Sequence, residues 1–392
     1  AMNFPAAWSR AGGWSEVGVL DNGLHTNHPD LRSHTSTNAL TGGNFLPGRA
    51  VDVGRTGFLG NELDFDPDEM QPLPVTTQNQ EWCDIEGTGF IVPSVAGHGT
   101  HVHGLIAANH TNSDGVVGAC KNCGLVSIRV THEVCFTNRS VSLATNAVAV
   151  TRGLTILAQT GAQVASMSLA GDEARGWMQH HCSIPAYMDT PICQALAYAS
   201  SHGLMLVAAS GNHRTKLGFP ASDPRVAGVG GLNESLAFWN EDTDSPPHHT
   251  NGCPYYGRPG VNPNLECGSN YTLNVATDAR QEHIAPARRI LSTLYPDMDW
   301  APDILCGDSL MGTSGILRSI NPLVLPGEGI PNAPYRGIRS VLIESSMLPT
   351  LLEVWNPKLG YGQIKADLAV SIMLGYSDGK AVKNRLTPLF SL

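Results

Sequence analysis

The chain has 392 residues, 42% of them hydrophobic, enough to bury the core of one large α/β domain or two ordinary ones. A formal net charge of −10 with only 15% charged residues excludes the basic stripe that a phosphate backbone requires, so no nucleic acid partner is expected. No apolar run approaches the ~20 residues that cross a bilayer, and the polar, Trp-containing start does not read as a secretory leader, so no membrane partner is expected either.

Short apolar runs rich in β-branched residues recur, each bounded by turn residues. In chain order they are Val17 to Leu20, Leu125 to Val130, Val164 to Leu169, Leu204 to Ala209 and Val226 to Val229. Continuous rather than alternating apolar character predicts strands covered on both faces. Between them, helical spacing predicts helices over Val102 to Asn109, Ser142 to Thr160 and Cys193 to His202. Strand and helix in repetition predict an α/β fold with a central, mostly parallel sheet flanked by helices. Four stretches rich in Gly, Pro, Asn, Asp and Cys, at 33–93, 132–140, 172–192 and 239–270, interrupt the rhythm and read as surface insertions on one domain with its core at about 14–376.

Nine cysteines are many for a reducing compartment. Cys120 lies near Cys123, Cys182 near Cys193 and Cys253 near Cys267, and the set reads as disulfides of a secreted protein. Zinc is the competing account, but no second Cys-x-x-Cys accompanies Cys120 and Cys123. Asn-x-Ser/Thr triplets at Asn109, Asn138, Asn233 and Asn270 fit an exported chain whose leader and propeptide lie outside this sequence.

Three motifs bear chemistry. Val17-Gly18-Val19-Leu20-Asp21 puts a carboxylate at the carboxyl end of a buried strand, where open α/β sheets hold ligands or catalytic groups; a turn-forming Asp before Asn22-Gly23 is the alternative. Gly97-His98-Gly99-Thr100-His101-Val102-His103-Gly104 frames a histidine with glycines at a helix start, presenting its ring to a cleft. His101 and His103 could form a metal pair, but residues two apart do not share a helical face. Leu310-Met311-Gly312-Thr313-Ser314-Gly315 sets a serine among small residues, where a tight turn exposes its hydroxyl and aims its N–H at a developing oxyanion. Ile316 stands where a Gly-x-Ser-x-Gly elbow would need glycine.

The order Asp, His, Ser, together with His-Gly-Thr-His-Val-x-Gly and Gly-Thr-Ser, resembles the subtilisin-like serine proteases from Val17 to about Val370. The resemblance implies a serine endopeptidase acting on protein or peptide substrates, with Ser314 as nucleophile, His98 as general base and acid, and Asp21 orienting the imidazole. It implies that Asn212, after Leu206-Val207-Ala208-Ala209-Ser210-Gly211, supplies an oxyanion donor, although Ser-Gly-Asn is also ordinary turn chemistry. It makes Ser168, Leu169, Ala170 and Gly171 a substrate-pairing strand and pocket wall, faced by Ala209, Ser210 and Gly211. Asp172 and Glu173 beside that wall would favour a basic residue before the cleaved bond, or form an exposed acidic turn.

No cofactor is needed for this chemistry, but the family implies a structural calcium ion between Asp30 and the loop Asn109 to Val116, especially Asn112. Asp64, Asp66 and Asp68 offer a second oxygen-rich cluster, which a solvated acidic loop explains equally well. A monomer is expected, with a propeptide or protein inhibitor as further partner. Asn22 and the run Gly315-Ile316-Leu317-Arg318 depart from the family pattern. Two other functions share the same residues: a ligase or macrocyclase in which an amine captures the acyl-enzyme, and an impaired pseudoprotease that binds peptides.

Overall fold

The computed structural model describes residues 2–11, 15–21, 23–24, 28–32, 51–52, 98–112, 115–135, 141–145, 147–160, 162–171, 182, 188–212, 214–233, 235–240, 268–276, 278–287, 292, 342–343, 345–347 and 355–373. In order, the elements are α1 (Phe4–Trp8), β1 (Glu16–Asp21), α2 (Pro29–Arg32), β2 (Val51–Asp52), α3 (His98–Ala107), β3 (Gly124–Arg129), β4 (Thr131–Cys135) and β5 (Val141–Thr145). There follow α4 (Ala147–Thr160), β6 (Val164–Met167), α5 (Pro191–Ser201), β7 (Met205–Ala209), β8 (Val226–Leu232), β9 (His283–Pro286), β10 (Ser346–Met347), β11 (Gln363–Ile364) and α6 (Ala366–Met373). No helix among the described residues is long and apolar enough to cross a membrane.

One sheet runs β10-β11-β9-β8-β7-β6-β1-β3-β2, parallel throughout except for the terminal β10 and β11 pair. The predicted α/β architecture is therefore observed. Strand alternation divides the interior in two. Val17, Val19, Leu125, Met205 and Val207 pack against Val102 and Ile106 of α3. On the other face Leu20, Val126, Ile128, Ala165, Met167, Leu206 and Ala208 meet Leu154 and Leu157 of α4 and Leu196 of α5. Burial of each of the Val, Leu, Ile and Met side chains contributes about 1.5–3 kcal/mol, which explains why both sides of the sheet are apolar.

The α4 stripe Val150, Leu154, Leu157 follows the helical repeat and is buried, and the helix approaches closely. A Cβ added at Gly18 would stand 2.3 Å from the Leu157 methyls, so only glycine at 18 leaves room for that leucine. Pro191 begins α5 within its first turn, after Thr190 in an extended conformation, a position where the missing N–H costs nothing.

Several expectations are corrected. Val141 to Thr145 pair antiparallel with Thr131 to Cys135 in a separate two-stranded sheet, so the helix expected from Ser142 begins only at Ala147 and the 132–140 stretch carries a hairpin arm. Alternating Val, Leu and Thr at 141, 143 and 145 favour the strand over the first helical turn. The ends of the 239–270 stretch belong to the interior: Trp239 is 2% exposed and Ser269 is fully buried. Cys120–Cys123 and Cys182–Cys193 are disulfides, while Cys253 and Cys267 lie outside the described residues.

The triplets at Asn109, Asn233 and Asn270 do not present sugar acceptors in the folded chain. All three asparagines are buried. Asn109 Oδ1 accepts from the N–H and hydroxyl of Thr111, Asn233 Oδ1 accepts from the N–H groups of Ser235 and Ala237, and Asn270 spans Thr215 and Lys216. They are turn-forming amides. Asn138 is outside the described residues.

Candidate active site

The parallel register lines up the carboxyl ends of three neighbouring strands. Leu20 pairs with Met167, and Met167 with Ala208, so Asp21, Ser168 and Ala209 leave the sheet side by side, at strand spacings of about 4.8 Å. This is the sheet edge at which open α/β folds bind ligands. The chain crosses β1 between β3 and β6, which places Asp21 where the strand order reverses.

Asp21 is the last residue of β1 and is 3% exposed. Its carbonyl accepts the N–H of Val130 at 2.8 Å, fixing the strand end. His98 is the first residue of α3 and is also buried. Its Nδ1 lies 2.7 Å from Asp21 Oδ1, a distance for a charge-assisted hydrogen bond. Because Asp21 is an acceptor when ionised, the proton on a neutral His98 ring belongs on Nδ1, and Nε2 becomes the basic nitrogen.

His101 and His103 are buried within α3. His103 Nδ1 stands 2.6 Å from the Gly99 carbonyl one turn earlier, and His101 offers its own carbonyl to the Ser292 hydroxyl at 2.7 Å. No group of three or more metal-binding side chains occurs among the described residues.

Ser168 and Leu169 are buried, and Ala170 and Gly171 are half-buried. Facing them, Ala209, Ser210, Gly211 and Asn212 are all buried. The two segments are clasped by Gly218 and Phe219: Gly218 N donates to Ser210 O at 2.8 Å, and Gly171 N donates to Phe219 O at 3.0 Å. A Cβ on Gly218 would lie 2.7 Å from Gly171 O and 3.1 Å from Ala170 Cβ. The segments 168–171 and 209–212 are thus tied together through Gly218 and Phe219, with no room for a side chain at 218. Ser314, Asp172 and Glu173 lie outside the described residues.

Asp30 lies in the first turn of α2 and is 2% exposed. Its Oδ1 accepts from Asn109 N at 3.2 Å and Asn112 Nδ2 at 2.8 Å, and its Oδ2 accepts from Val116 N at 3.0 Å. The loop after α3 thereby closes on a carboxylate. These partners present N–H groups, whereas calcium takes six to eight oxygens; residues 113 and 114 of the same loop lie outside the described residues. Asp64, Asp66 and Asp68 lie outside the described residues. Nearby, burial lowers the pKa of His110 below its ordinary value, opposed by its contact with the Gly118 carbonyl.

Sequence reasoning missed the segment that braces the Asn212 loop. Ser269 Oγ lies 3.2 Å from Ser210 Oγ and accepts Gly231 N at 2.8 Å, and Asn270 N donates to Gly211 O at 2.9 Å. The available signal was Gly268-Ser269-Asn270, a turn cluster carried into a buried position.

The subtilase family model matches residues 15–306, and the chain belongs to the subtilase family. Ser314 stands beyond the matched span. Thermitase from Thermoactinomyces vulgaris is 28% identical over 209 residues, 53% of this chain, which spans 51% of the length of that relative. Subtilisin Savinase from Lederbergia lenta is 26% identical over 333 residues, covering 84% of this chain and 93% of that protein. Among solved structures, the prenylagaramide maturation protease PagA aligns with a TM-score of 0.56 at 18% identity, covering 95% of this chain and 98% of that one, a likeness of fold.

Proposed function

We propose that this chain is an extracellular serine endopeptidase working through an acyl-enzyme on Ser314. The observation that carries the reading is the buried Asp21–His98 pair at 2.7 Å on the sheet edge that also carries Asn212, in a chain of the subtilase family. A serine hydroxyl is a weak nucleophile near neutral pH, so a neutral imidazole oriented by a buried carboxylate is the group such chemistry needs.

In the proposed cycle His98 Nε2 takes the hydroxyl proton as Ser314 Oγ bonds to the scissile carbonyl carbon. The Asn212 amide and the Ser314 N–H stabilise the resulting oxyanion. Collapse breaks the carbon–nitrogen bond, and the proton passes from His98 to the leaving amine. Water then repeats the sequence, releasing the acid and restoring the hydroxyl. Substrate pairs its backbone with the strand Ser168 to Gly171, and the side chain before the scissile bond enters between that strand and Ala209 to Gly211. Export is supported by the two disulfides, which persist in oxidising compartments.

The test is mass spectrometry of a defined peptide and an unfolded protein after incubation with the chain or its Ser314→Ala variant. Internal cleavage with addition of one water per bond, abolished by the alanine, is expected. Joined or cyclic products would replace hydrolysis by ligation, and an unchanged peptide would remove the enzyme reading.

A further inference from the structure

We infer that Asn270 is a positioning residue for the oxyanion donor, a reading that rests on the assignment of Asn212 in the preceding section. After Ala209 the chain leaves β7 and must turn so that the Asn212 amide faces the sheet edge. The turn is made at Gly211, whose φ of +109° lies where an L side chain is strained. Such a turn keeps its shape only if its surroundings over-determine it.

The surroundings are one short segment, Gly268 to Tyr271. Gly268 N donates to the carbonyl of Asn212 itself at 3.2 Å, and Gly268 O accepts Arg214 N at 3.1 Å. Asn270 N donates to Gly211 O at 2.9 Å, and Tyr271 N to Thr215 O at 2.9 Å. The Asn270 side chain completes the brace: Oδ1 accepts Thr215 N at 3.3 Å, and Nδ2 donates to Lys216 O at 2.9 Å.

Asn270 is 3% exposed while Thr215 and Lys216 are half-buried, so its amide is withdrawn from water and has these two chain groups as its partners, where an unmade hydrogen bond is costly. Its fit against the turn is close. A Cβ on Gly211 would fall 2.4 Å from Asn270 Nδ2, so Gly211 and Asn270 share one space. Aspartate would keep the acceptor for Thr215 but lose the donor to Lys216 and set a charge against its carbonyl; alanine would lose both.

Asn270 therefore holds the backbone on either side of Asn212. An oxyanion donor acts only if it is already in place when charge develops, so a looser mount lowers turnover more than substrate binding.

The experiment compares the full chain with Asn270→Ala, Asn270→Asp, Asn212→Ala and the Asn212→Ala/Asn270→Ala double variant on one chromogenic peptide amide. Turnover is normalised to sites titrated with a fluorophosphonate, so misfolded molecules do not count. With Asn212 present, Asn270→Ala should lower kcat about tenfold with KM held within about twofold, part of the ~100-fold or more that a lost donor costs. With Asn212 already alanine, the same change should alter kcat by less than about twofold, because two residues acting through one group are not additive. If Asn270→Ala gives no titratable sites, Asn270→Asp carries the comparison with the same split.

Equal fold-losses in the two backgrounds, or an unchanged kcat, would overturn the positioning role. A titrated Asn212→Ala enzyme as fast as the parent would bring down the oxyanion assignment instead, and a parent chain that is never labelled would bring down the nucleophile.

Discussion

Asp21 and His98, separated by 77 positions in sequence, meet through Oδ1 and Nδ1 at 2.7 Å in a buried environment. One residue ends a strand and the other begins a helix, so both side chains are set by regular elements rather than by loops. That placement limits the imidazole to one orientation and, while Asp21 is ionised, one tautomer.

Asp21→Asn should therefore leave the fold in place and lower kcat by about 10⁴-fold, because an asparagine amide can offer N–H to Nδ1 and select the wrong tautomer. Steady-state kinetics, with circular dichroism to verify the fold, measures the effect. A loss below tenfold would mean that Asp21 does not govern the imidazole.

Asp30→Ala removes an acceptor shared by Asn109 N, Asn112 Nδ2 and Val116 N. The Asn109 N–H is buried and would lose its acceptor at a cost of about 1–3 kcal/mol, whereas those of half-buried Asn112 and Val116 can turn to water, so urea unfolding should show a loss of about 1–3 kcal/mol, with faster amide exchange at Val116. Because the observed donors are nitrogens, calcium added to the parent chain should not slow that exchange. Slower exchange on calcium addition would show that the loop rearranges into an oxygen site.

His283 is fully buried in β9, and burial lowers its pKa from 6.5 to about 3, although the Glu282 carboxylate lies 4.0 Å from Nε2. Desolvation outweighs that distant charge. The unfolded chain then binds a proton that the folded one rejects between about 3 and 6.5, so stability is full above 6.5 and falls as pH is lowered through this window. One proton contributes a slope of up to about 1.4 kcal/mol per pH unit. His283→Gln, which cannot titrate, should have a shallower acid limb in urea unfolding. Parallel limbs for the two proteins would show that His283 contributes nothing to it.

The sheet and the Asp–His pair were legible because their signals are local. Continuous apolar runs at Val17, Val164 and Leu204 mark strands covered on both faces; Asp21 ends the first of them, and His98 opens the apolar helix α3. The β9 strand, His283–Pro286, escaped notice because it is short and holds a histidine and a proline, which depress strand signals although the site is interior. Asn270 was hidden for a similar reason: its triplet and glycine-rich approach read as surface chemistry. Burial depends on chain brought in from 210–216, which no local window contains. Ser142 to Thr145 failed differently, since helical spacing there continues into α4 while pairing with Thr131 to Val134 decides for the strand.

The central claim is that the hydroxyl of Ser314 is made nucleophilic by the Asp21–His98 pair. Fluorophosphonate labelling followed by peptide mapping tests it most directly, on the parent chain and on His98→Ala and Ser314→Ala. The account predicts a single adduct on Ser314, slowed by about 10³-fold or more without His98 and absent without Ser314. An adduct on another residue, or labelling at the parent rate after either substitution, would contradict it.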